Sequence, residues 1–187
     1  NSATFASLPN GKYTITMTEG GMTHTANIVV VGATVYDVPL CELKVTFDGI
    51  SQLDKAILSV GGKEAVAKGY AEDGEHTFTV FRNQTYDIFL KEGGMSHTGR
   101  IKIGNEASAT YDAPMCKLTV EFPGISQLDA ATLSVDGVKA ASKGFADGGK
   151  HTFSVFQGQT YDITLKENNM THKGSVTITD QDKHTYD

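Results

Sequence analysis

Tryptophan is absent from this chain, and cysteine occurs only twice, at Cys41 and Cys116. Two cysteines cannot build the disulfide framework of a small stapled domain. They sit at the same place in successive copies of a repeat, about one domain length apart, too far for an intrachain bridge. They read as buried thiols that pack as small hydrophobes; the sharper alternative is an intermolecular disulfide. No apolar run approaches the ~20 residues of a bilayer-crossing helix. Basic residues are few and scattered, 16 Lys and Arg against 22 Asp and Glu, so nucleic acid is not the expected partner. No helical stripe appears anywhere. Ser59 and Ser134 lie within strand patterns and not on a nucleophile elbow. The Gly-rich stretches lack the following Lys-Ser/Thr and helix of a phosphate loop. No dense alternating Asp run offers a calcium loop.

What is present is repetition. Cys41 to Asp112 aligns without a gap with Cys116 to Asp187 at an offset of 75 (116 − 41), and 40 of the 72 positions are identical. A third, shorter copy, about Thr4 to Asp37, matches only the back half. The division is an incomplete half-repeat over 1–38, a repeat over 39–113 and a repeat over 114–187. A period this long means whole domains in tandem, each near the lower size limit for independent folding. The chain begins at Asn1 and not Met, so it reads as a mature product or a piece of a longer array.

Within each copy apolar and polar residues alternate. Cys116, Leu118, Val120 and Phe122 share one face of a strand, with Lys117, Thr119 and Glu121 on the other. Asp136-Gly137, and Gly61-Gly62 in the preceding copy, mark a two-residue hairpin. A second tight turn is Gly20-Gly21, Gly93-Gly94 and Asn168-Asn169 in the three copies. Glycine and asparagine tolerate positive φ at both central positions of a type I′ turn. That turn fixes a register: Glu92 opposite Met95, Leu90 opposite His97, Ile88 opposite Gly99, Tyr86 opposite Ile101, and Asp87 opposite Arg100 on the other face. About seven short strands result per full copy, and the last four of them in the half copy. The expected fold is all-β: tandem antiparallel Ig-like or transthyretin-like β-sandwich repeats of about 75 residues, the first incomplete. Only Val38-Pro39-Leu40 and Ala113-Pro114-Met115 join the units, and proline stiffens both. A stiff, elongated rod is expected.

The run Ala131 to Gly137, followed by Gly158-Gln159-Thr160-Tyr161-Asp162 and its strand, resembles bacterial PEGA-type and carboxypeptidase-regulatory-like modules. In the half copy the Gly-x-Tyr start is Gly11-Lys12-Tyr13. The Pro-Glu-Gly-Ala signature that names the first family is absent. The resemblance implies an Ig-like or transthyretin-like sandwich on a bacterial or phage surface protein, and no catalytic residues.

Candidate sites are few. His24, His97 and His172 recur after the tight turn, and His76 and His151 recur in a second context. One His per sheet end does not assemble the three or four ligands zinc needs, so packing or a satisfied hydrogen bond is expected. Asp37, Asp112 and Asp187 near the unit ends, and Asp54 and Asp129 in loops, read as solvated turn residues. Asn83-Gln84-Thr85 and Asn169-Met170-Thr171 match the N-glycosylation pattern at non-equivalent positions. The run Ile28, Val29, Val30, Val31 is apolar on both faces, which marks a contact surface. The expectation is a non-enzymatic protomer of an extracellular filament, pilus-like fibre or phage appendage, at a cell or virion surface. A neighbouring chain completes the half-repeat, giving a homopolymer. The alternative is an adhesin stalk or carbohydrate-binding array, with Tyr70 and Phe145 as loop contacts to a surface glycan. No cofactor or metal is expected.

Overall fold

Alternation of apolar and polar side chains produces strands throughout, and the described residues contain no α-helix. The computed structural model describes residues 2–49, 56–65, 74–123, 131–140, 149–167 and 169–187. The half-repeat contributes β1 (Gly11–Glu19) and β2 (Met22–Val30). The second unit contains β3 (Leu40–Thr46), β4 (Ala56–Val60), β5 (Lys63–Glu64), β6 (Glu75–Phe81), β7 (Gln84–Glu92), β8 (Met95–Ile103) and β9 (Ser108–Asp112). The third unit repeats the series as β10 (Met115–Glu121), β11 (Ala131–Val135), β12 (Val138–Lys139), β13 (Lys150–Phe156), β14 (Gln159–Glu167), β15 (Met170–Ile178) and β16 (Lys183–Tyr186).

Each full unit is a three-stranded sheet and a four-stranded sheet. In the second unit the orders are β6-β3-β9 and β5-β4-β7-β8; in the third they are β13-β10-β16 and β12-β11-β14-β15. The inward residues of both sheets share one core: Cys41, Leu43, Val45 and Phe47 from the β3 segment meet Leu58, Val60, Ile88 and Leu90 from the other sheet. Their equivalents Cys116, Leu118, Val120 and Phe122 meet Leu133, Val135 and Ile163. Burying alternate side chains from two sheets is what makes a sandwich of so short a chain.

Two finer expectations are corrected, while the expected all-β sandwich repeats are observed with one parallel pair in each, β9 with β3 and β16 with β10. These last strands come over from the other sheet, so no tight hairpin sets their direction. The Gly-Gly tips carry one left-handed residue each, not two: Gly20 and Gly93 have φ 57°, whereas Gly21 and Gly94 lie outside that region. Among the described residues both central positions are left-handed only at Gly61-Gly62 (55° and 80°) and Asp136-Gly137 (43° and 77°).

The half-repeat forms two strands where four are expected. Residues 2–8 correspond to β6, and residues 33–37 to β9, yet neither segment is a strand. In the full unit β6 and β9 never touch as partners; both pair on β3, which stands between them. Residues 1–38 hold no counterpart of β3. With the middle strand missing, both flanking segments lose their hydrogen-bonding partner together. The β1–β2 hairpin survives because those two strands pair with each other, in the register Gly11↔Val30 to Glu19↔Met22.

Candidate functional site

The hairpin register expected from the sequence is the one observed in β7–β8, from Glu92↔Met95 to Gln84↔Ile103. It points Met95 and His97 toward the next unit, and the same register points Met22 and His24 toward the second unit. The result is one joint, built twice.

At the first joint the His24 ring stacks on Phe81, with centroids 5.4 Å apart and planes inclined by 27°. At the second, His97 stacks on Phe156 at 5.4 Å and 26°. Each histidine is held from behind by its own unit's tyrosine: His24 Nε2 lies 2.8 Å from Tyr36 Oη, and His97 Nε2 lies 2.7 Å from Tyr111 Oη. The amide of Gln84 donates to the Thr23 carbonyl at 2.9 Å, and that of Gln159 to the Ser96 carbonyl at 2.7 Å. The hairpin tips rest on the neighbour's hairpin turn, where the Gly94 N–H donates to the Asp136 carbonyl at 3.0 Å. Met22 and Met95 are 3% and 2% exposed in consequence. The first joint adds an ion pair, Lys63 Nζ to Glu19 Oε1, at 2.5 Å. The second adds Lys117 Nζ to Asp48 Oδ2 at 3.7 Å, beside an open groove of about 550 Å³ lined by Asp112, Cys116, Ser154 and Asp182 among others.

The third unit carries the same side chains on an exposed face. His172 Nε2 lies 3.3 Å from Tyr186 Oη, and Met170 is 66% exposed. His24 and His97 thus pack at the joints, while His172 is exposed beside its own tyrosine. Burial lowers the pKa of His97 below its usual value, and likewise those of His76 and His151. His76 and His151 meet Phe78 and Phe153 edge-on at 4.8 and 4.7 Å within their own units.

The other feature is the unfinished unit. Phe5 is 69% exposed, while its equivalent Phe78 (78 − 5 = 73, the offset of the two hairpins) is 3% exposed. Leu8, Met17 and Val35 are also exposed there. Of the run marked as a contact surface, Val29 and Val31 are exposed, Val30 is buried and Ile28 is half-buried. Val30 takes the place of Ile103 at the strand end, and Val29 and Val31 turn to the outer face as the alternation requires.

Cys41 and Cys116 are free and buried, and burial raises the pKa of both thiols, which disfavours the thiolate. Asp112 Oδ1 accepts from Thr46 Oγ1 at 2.5 Å. Among the described residues no three His, Cys, Asp or Glu are grouped to hold a metal ion, and no helix is long and apolar enough to cross a membrane. Asn83 lies in a turn, with its amide donating to Asn105 Oδ1 at 2.9 Å, and Asn169 is exposed at its hairpin tip. Tyr70, Phe145, Asp54, Asp129 and Asn168 lie outside the described residues.

The joint was partly visible as a repeated Met-Ser/Thr-His after the tight turn. Its other half, Phe81 and Phe156, breaks the strand alternation: each follows an inward valine, Val80 or Val155, and so falls on the outer phase, where a large apolar side chain needs a neighbouring unit to cover it.

No family model matches the chain, and no curated protein matches it. Among solved structures it is similar to the Bacillus anthracis TIE protein, at 17% sequence identity with a TM-score of 0.26. The alignment takes in 96% of this chain and 42% of that one, so the chain spans less than half the length of the protein it matches. A likeness this weak carries no argument about fold or function.

Proposed function

We propose that this chain is a non-enzymatic structural protomer of an extracellular filament, pilus-like fibre or phage appendage. In this reading a neighbouring chain completes the N-terminal half-repeat. The observation that carries it is the missing middle strand. Residues 2–8 and 33–37 match strands that pair only on a central partner, and they have none within residues 1–38. An incoming strand running antiparallel to residues 2–8 and parallel to residues 33–37 satisfies both at once, as β3 does for β6 and β9. It also covers Phe5 and Val35. Because the contact joins unlike surfaces, it propagates and does not close. The surface setting follows from the resemblance to surface modules. Light scattering and negative-stain microscopy of the intact chain across a concentration series test the reading. Concentration-dependent growth into fibres is expected; a monodisperse monomer at high concentration, with no fibres, overturns it.

A further inference from the structure

At both joints the second residue of the hairpin tip makes the closest approach to the neighbour's backbone; at the second joint Gly49 comes closer still, but to the Ser154 side chain. A Cβ placed on Gly21 would lie 2.4 Å from the Gly61 carbonyl oxygen, and one placed on Gly94 would lie 2.4 Å from that of Asp136. Both obstacles are backbone atoms, which cannot rotate away as a side chain would. Neither Gly21 nor Gly94 has the positive φ that would itself favour glycine. The turn does not demand glycine there, so the demand comes from the docked neighbour. In the third unit the pairing of Glu167 with Met170 puts Asn169 at that position, exposed at the tip with Met170 beside it.

We propose that this one tip position decides whether a unit docks on the next. Glycine admits the neighbour's hairpin turn, and Asn169 bars the third unit from receiving a further unit in this geometry, from a second copy of the chain or from any other source. Met170, His172 and Tyr186 reproduce the joint side chains of the second unit, and Asn169 stands where the neighbour's backbone would come closest. The inference stands on the two joints and is independent of the filament reading, which places assembly at the other end of the molecule.

The test is transplantation into the intact chain. Gly93→Asn with Gly94→Asn gives the second unit the tip of the third, a pair of residues the same hairpin already accommodates. Backbone relaxation by NMR and the His97 ring-proton shifts report on the joint. The unaltered chain is expected to show the second and third units tumbling as one body, with His97 shifted by the face of Phe156. The variant is expected to lose that shift and show the two units tumbling separately, each keeping a dispersed spectrum. Gly94→Ala, which adds only the offending Cβ, is expected to do the same. If either folded variant keeps both the ring shift and the common tumbling, the proposal is overturned. If the double variant unfolds the second unit, Gly94→Ala decides.

Discussion

Single atoms set several of these contacts. A Cβ on Gly99 would lie 1.7 Å from the Tyr111 hydroxyl, and one on Gly174 would lie 1.8 Å from that of Tyr186. In the two full units the tyrosine that holds the histidine therefore lies over a bare backbone. Gly99→Ala is expected to destabilise the second unit by about 1–3 kcal/mol, the usual cost of forcing an atom into a filled space, and urea unfolding measures it. The half-repeat has Ala26 at the matching place, and there Tyr36 lies outside any strand. The histidines add a pH dependence. His76, His97 and His151 have pKa values lowered in the folded chain by burial, so the unfolded chain binds protons first as pH falls below about 6.5. The stability they contribute is full above that pH and is lost as pH falls through their folded values. Urea midpoints taken from pH 7.5 to 5.5 should decline, and more shallowly in His97→Gln, which no longer titrates.

At the scale of strands, the contrast between equivalent positions tests the account of the half-repeat. Phe78→Ala removes a ring from a closed core and is expected to cost about 3–5 kcal/mol. Phe5→Ala, at the matching place in the half-repeat, is expected to change stability by no more than about 0.5 kcal/mol, the range for surface sites. Equal losses in urea unfolding would mean that residues 2–8 are packed after all. The strands themselves were legible because period-two alternation and the hairpin turns are local signals; the β7–β8 register, down to Arg100 Nε donating to Asp87 Oδ1 at 2.7 Å, followed from the turn alone. Strand partnership across a sheet is not local. The pattern of Ser108–Asp112 says strand, but not that it runs parallel to β3. The same limit hid the fate of the half-repeat, since four strand-like segments look like four strands until the missing one proves to be the middle one. The docking face was half-legible for a related reason: the Met and His recurrences lie within one hairpin, whereas their partners Phe81 and Phe156 lie in the next unit.

At the scale of the whole molecule, one repeat is found in two conditions. The joints between units are closed by a fixed set of contacts, and the half-repeat presents the opposite condition, an apolar face without its central strand. In the proposed filament that face is where a neighbour enters, and the requirement on the entering strand can be stated. It must alternate, with four inward apolar positions like Cys41, Leu43, Val45 and Phe47, and polar outward ones like Glu42 and Lys44. A synthetic peptide with the sequence of residues 40–47, kept reduced, meets that requirement and cannot propagate. Added to the intact chain it is expected to bind, to slow amide exchange in residues 2–8 and 33–37, and to stop fibre growth by occupying the gap. Burying the Phe5 side chain alone supplies roughly 1.5–3 kcal/mol toward that binding, before ordering of the peptide is set against it. A scrambled peptide of the same composition should do none of these things. Fibres that grow undiminished while the peptide is bound would place assembly elsewhere on the molecule, and the half-repeat would lose its part in it.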